Sequence, residues 1–273
     1  MGVVAALGTI MVLATILSEG LIEAIASLFH IVIKEEWKCH IGGGIGTIVA
    51  GIMSVIWVKK KNLVDSEDKT QSFSIKRCLI IGVLAWSVCD VLYDFISTPL
   101  LAYVFHLSDS LNVVEEKSIM DVLIGDLIFP ILVAPIFEEL IFRYGFYNLL
   151  KQRFGKISIT VISSILFALL HSYAIQGFGS CLIAGLFLMY IYIRTGDIKY
   201  SIVSHMIFNI DSNVLNMLED KGVTLWGIPL QYEIEGFNMV HPVFIIIAIS
   251  ICLVYIINKR KEIMNFLRNA IKM

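Results

Sequence analysis

Eight stretches of this chain are apolar over about the length that a helix needs to cross a bilayer. That repetition limits the fold more than any other feature. A spanning helix takes about 20 mostly apolar residues. The stretches run approximately 3–33, 41–58, 78–106, 120–148, 157–174, 177–194, 199–217 and 239–258. Several are longer than the hydrocarbon requires, so tilt, kinks or interfacial portions are expected. Pro99, Pro130 and Pro135 mark expected breaks, because proline removes a backbone donor and crowds the preceding turn. Of the 273 residues, 58% are hydrophobic and 16% charged, against about 25% charged in soluble domains. A soluble core does not hide that excess, since a domain of this length still exposes much of its surface. The expected fold is all-α: a polytopic membrane helix bundle of about eight transmembrane helices. It forms a single integral membrane domain over residues 1–273.

The basic residues give the orientation. Of the 21 Lys and Arg, 16 lie in alternate loops and the tail, among them Lys59, Lys60, Lys61, Lys151, Arg153, Arg194, Lys259 and Arg260. The opposite loops hold Lys34, Lys38, Lys117 and Lys221. Under the positive-inside rule both termini are cytoplasmic. The N-terminal stretch lacks a basic leading region and is interrupted by Glu19 and Glu23, so a retained helix is expected rather than a signal peptide. The basic tail, 259–273, reads as a solvated cytoplasmic segment or a short amphipathic helix on the inner leaflet.

A formal net charge of -2 offers no basic surface, so nucleic acid is not an expected partner. The five cysteines (Cys39, Cys78, Cys89, Cys181, Cys252) have no CxxC spacing, and they read as small hydrophobes rather than disulfide or zinc ligands.

Ionisable groups inside spans cost about 2.5–3.5 kcal/mol each on insertion scales, so each needs a reason. The fourth stretch carries Glu138, Glu139 and Arg143 within an apolar run. Glu139 and Arg143 are four apart in the acid-first order that favours an ion pair. Glu138 lies roughly 100° around the helix from its neighbour and is left to face a cavity. The alternative is one buried charge network holding the helices together. The fifth stretch reaches His171 after Phe167, and the seventh carries His205 and Asn209, four apart on one helix face. At about 1.5 Å per residue, Glu138, His171, His205 and Asn209 fall at compatible depths in the middle or cytoplasmic half of the bilayer.

The patterns EExxxR at Glu138–Arg143, FxxxH at Phe167–His171 and HxxxN at His205–Asn209 resemble the three signature motifs of the CAAX prenyl protease and bacteriocin-processing family (CPBP, or Abi). The likeness covers about residues 120–217 and extends to the Tyr190–Ile198 segment before the third motif. The outer helices, 1–119 and 239–258, match only in being hydrophobic. The resemblance implies an intramembrane glutamic endopeptidase. Glu138 and His171 would activate a water, His205 and Asn209 would stabilise the oxyanion, and Glu139 and Arg143 would support the site. Amide hydrolysis needs such a base and such donors.

No cofactor is expected. Zinc is the alternative, with Glu138, His171 and His205 as ligands, though no HExxH is present and Asn209 has no place in such a set. The expected partners are the bilayer and a membrane-associated peptide or protein substrate, and the expected location is the plasma membrane of a bacterium. Two other functions stay open: a non-catalytic bacteriocin-immunity or scaffold protein of the same family, and a small proton-coupled transporter. The transporter would use the pairs Glu19/Glu23 and Asp90/Asp94, but the chain shows no repeat symmetry.

Overall fold

The computed structural model describes residues 2–33, 35–63, 73–92, 121–171 and 175–220, four short strands between 224 and 240, and isolated positions between 246 and 260. Helices α1 (Gly2–Leu28) and α2 (Glu35–Lys60) pack against each other. Glu23 faces Lys38 at 4.0 Å, and Glu19 lies against Gly42, which makes the pair antiparallel. Helix α3 (Ile75–Leu92) packs on α7 (Ile198–Asp220). Between them in the chain lie α5 (Lys156–His171) and α6 (Ile175–Thr195), which pack on each other.

Helix α4 carries the first motif and is built from four consecutive segments. Asp121–Val133 has wide, π-helical turns, Ala134–Glu139 is α-helical, Leu140–Gly145 is π-helical again, and Phe146–Leu150 returns to α. The expected breaks at Pro130 and Pro135 are therefore corrected: the helix continues through both. Widening a turn lets the chain absorb residues that cannot donate, where a strict four-residue ladder would have to be cut. Pro99 lies outside the described residues.

Close approach of α4 to α2 depends on small residues. A Cβ at Gly51 would lie 2.9 Å from the Phe137 ring, and one at Gly145 would lie 2.9 Å from the Ser54 Cβ. Small residues at helix crossings are how membrane helices gain contact without a hydrophobic drive between them. The core beside the first motif joins Ile141, Phe142, Phe146 and Leu150 to Ala50, Ile159, Phe167, Met189 and Tyr192. Two buried polar links cross it: Ser163 donates to the Phe142 carbonyl at 2.9 Å, and the Asn148 amide donates to the Tyr192 hydroxyl at 2.9 Å.

The molecule is helical, as expected. Beyond the helices, two short antiparallel hairpins occur, Thr224–Leu225 with Ile228–Pro229 and Gln231–Ile234 with Phe237–Val240. The all-α reading did not foresee them. Among the described residues three helices are long and apolar enough to cross a membrane: Gly8–Leu28, Ile41–Lys60 and Phe178–Thr195. Helix α5 is a shorter apolar helix. The third stretch continues past Leu92 into residues outside the description, and 239–258 lies largely outside it as well.

The exposed large apolar side chains fit a lipid-facing surface. On α1 they include Val12, Leu13, Ile16, Leu17, Leu21 and Ile25. Cys78 and Cys89 are buried and Cys181 half-buried, none of them in a disulfide.

Candidate functional site

Glu138, His171 and His205 come together from α4, α5 and α7. Glu138 Oε2 lies 3.3 Å from His171 Nε2 and 3.7 Å from His205 Nε2. Neither contact is an aligned hydrogen bond, although that oxygen is buried. The other nitrogen of each ring is fixed from behind. His171 Nδ1 is 2.8 Å from the Phe167 carbonyl, one helical turn earlier. A carbonyl only accepts, so Nδ1 carries the hydrogen. His205 Nδ1 is 2.9 Å from Glu139 Oε1. The same carboxylate takes a short hydrogen bond from the Ser201 hydroxyl on Oε2 and an ion pair from Arg143 on Oε1 at 3.0 Å. With those donors around it, Glu139 is the acceptor and His205 Nδ1 the donor. In their neutral forms both rings therefore present an unprotonated Nε2 towards Glu138.

Glu139 and Arg143 have no solvent exposure. Arg143 makes no aligned hydrogen bond among the described residues. Its guanidinium instead lies 4.5 Å over the Phe167 ring, a cation–π arrangement that suits a weakly hydrated planar cation. Phe167 is thus the floor of the site. Its ring is 4.2 Å from the His171 ring and 5.5 Å, edge-on, from the His205 ring.

Asn209 lies one turn beyond His205 on α7. Its Nδ2 donates to the Pro130 carbonyl of α4 at 2.7 Å. That ties the fourth expected site residue to the helix of Glu138, two turns upstream.

Sequence reasoning gave Glu139 only the ion pair with Arg143. The structure adds His205 and Ser201 to that carboxylate. Ser201 was missed, yet its signal was legible: it lies four residues before His205 and shares that helix face. The Phe167 and Pro130 carbonyls carried no such signal, because backbone acceptors have no sequence mark. The acid pairs considered for a proton path are elsewhere. Glu23 is exposed beside Lys38, and Glu19 packs at Gly42 on α2. Asp94 and the side chain of Asp90 lie outside the described residues.

As for metals, Glu138, His171 and His205 offer one oxygen and two nitrogens, the donor types of a catalytic zinc site. Among the described residues, however, no group of three or more His, Cys, Asp or Glu side chains is arranged to hold an ion.

What the arrangement can do is move a proton. An acid and an imidazole in contact, with a second imidazole backed by a carboxylate, are the groups that base-assisted addition of water to a carbonyl requires. Comparison with known proteins agrees in kind. Residues 121–210 match the family model for type II CAAX prenyl endopeptidases, Rce1-like. No curated protein and no solved structure matches the chain.

Proposed function

We propose that this chain, a CPBP-family membrane protein carrying an Rce1-like domain of the type II CAAX prenyl endopeptidases, is a metal-free intramembrane endopeptidase that uses Glu138 as its base. Family membership supports CAAX-type proteolysis in general. The finer reading rests on one observation, the convergence of Glu138 Oε2 on the Nε2 atoms of His171 and His205.

In this reading Glu138 and His171 share the proton taken from a water as it attacks the scissile carbonyl. His205, entering as the imidazolium with a solvent-derived proton on Nε2, and the amide of Asn209 donate to the oxyanion, and the proton held by Glu138 and His171 passes to the leaving amine as the C–N bond breaks. Glu139 holds His205 with Nδ1 protonated and balances the imidazolium, as a carboxylate does behind a catalytic histidine. Arg143 and Ser201 hold the Glu139 carboxylate in place. The substrate is a membrane-associated protein or peptide, and the enzyme works in the plasma membrane of a bacterium. A prenylated CaaX terminus is one candidate substrate. Bacteriocin precursors and signal peptides are others.

The alternatives make different demands. A scaffold or immunity protein needs no proton-transfer set, whereas three ionisable side chains meeting in one site carry a cost that catalysis would repay. A transporter built on Glu19 and Glu23 finds Glu23 exposed and paired with Lys38.

The deciding experiment compares the membrane peptidomes of cells making the wild-type chain and Glu138→Ala at equal abundance. The reading expects peptides or processed termini that vanish with the variant. Identical peptidomes, together with a cellular phenotype that survives both Glu138→Ala and His171→Ala, would overturn it in favour of a binding role.

A further inference from the structure

The carbonyl that anchors Asn209 is available for a reason written in α4. In a five-residue, π-helical register the carbonyl of residue 130 receives the N–H of residue 135. Residue 135 is a proline and has no N–H. Pro135 is fully buried and lies two residues past the wide-turn segment Asp121–Val133. The Pro130 carbonyl thus lacks the donor of that register, and Asn209 Nδ2 supplies one from α7 at 2.7 Å. A backbone carbonyl within hydrocarbon requires a donor, so both ends of this bond favour it.

We infer that Pro135 is a positioning residue for Asn209: by removing the backbone donor that would reach the Pro130 carbonyl, it reserves that oxygen for the Asn209 amide. The catalytic consequence rests on the proposed endopeptidase reading; the hydrogen bond does not. A primary amide has two N–H groups in one plane. With one spent on Pro130, the plane is fixed and the second N–H has a defined direction. Without the anchor, the terminal torsion of asparagine is soft and that direction is lost. Pro130 itself has no such effect on Asn209. In the same register the donor it removes belongs to the carbonyl of Gly125, one wide turn further away.

The test uses the full chain in lipid nanodiscs with 15N-labelled asparagine, the Asn209 side-chain signal being identified by its loss in Asn209→Asp. Wild type and Pro130→Ala are expected to show a solvent-protected Asn209 amide with two inequivalent protons. Pro135→Ala and Pro135→Ser both restore the N–H and differ in size, so an effect shared by the two reads the donor rather than the packing. Both are expected to lose the protection. On a prenylated CaaX reporter peptide both should also lose about 10- to 100-fold in kcat with KM unchanged. An Asn209 signal that stays protected in both proline variants overturns the inference, whatever the activity. If the wild type hydrolyses nothing while the proline variants still release the amide, the endopeptidase reading falls and the positioning role stands.

Discussion

The Phe167 carbonyl accepts the Nδ1–H of His171 at 2.8 Å, and this one bond decides which nitrogen of the ring faces Glu138. Only Nε2 is free to take a proton from the carboxyl side. Nitrogen-15 spectra of the histidine rings should show His171 as the Nδ1–H form when neutral, and an Nε2–H form would contradict the geometry. His171→Ala should lower peptide cleavage by about 10²- to 10⁴-fold. Glu138→Gln/His171→Ala should be no worse than the more damaging single variant, because groups that move one proton act as a unit. The readout is initial cleavage rate in proteoliposomes.

Removing Arg143 while keeping Glu139 should damage folding more than removing both charges. Both side chains have no exposure, so Arg143→Met strands a carboxylate whose ion-pair partner is gone. Breaking a buried pair from one side costs about 3–5 kcal/mol. Thermal unfolding in detergent is expected to rank the wild type first, Glu139→Gln/Arg143→Met next and Arg143→Met last. A single variant as stable as the double would show that the pair is not coupled.

Ser201→Ala removes a donor from the same carboxylate and a 3.1 Å contact with the Leu188 carbonyl. Leaving buried acceptors short of a donor costs about 1–3 kcal/mol. Chemical unfolding should detect that loss, and cleavage should weaken as His205 loses a well-held partner. An unchanged unfolding curve would remove Ser201 from the network.

Gly145→Ala tests the α2–α4 contact. The added methyl would meet Ser54 Cβ at 2.9 Å and the Leu140 carbonyl at 3.0 Å. Overpacking of this kind costs about 1–3 kcal/mol. Ser54→Gly in the same chain should restore part of it, as measured by the unfolding midpoint. No recovery would place the clash with the Leu140 carbonyl instead.

Chelator treatment of the purified protein should leave cleavage intact, and metal analysis should find no stoichiometric zinc. Stoichiometric zinc lost on Glu138→Ala, with cleavage lost to the chelator, would replace the proposed mechanism by a metal-assisted one.

The sequence made much of this site legible, and the reasons are physical. Hydropathy placed the helices over 121–150, 156–171, 175–195 and 198–220 to within a few residues, because long apolar runs leave a chain few other structures. The spacing Glu139–Arg143 gave an ion pair that the structure contains at 3.0 Å. The four-residue step from His205 to Asn209 put both on one face of α7, where they reach Glu139 and the Pro130 carbonyl. What stayed hidden was whatever depends on backbone atoms or on register. The prolines of α4 read as breaks because the four-residue ladder was assumed. The hairpins after α7 show no long alternation to announce them.

The placement of Glu139 and Arg143 on a single helix also bears on how the protein reaches its membrane. Opposite charges one turn apart can neutralise each other on α4 alone, before α5 or α7 packs against it. Carried by different helices, each charge would enter lipid unaccompanied, at about 2.5–3.5 kcal/mol apiece. The intrahelical pair thus allows biogenesis of a polar site to proceed one segment at a time.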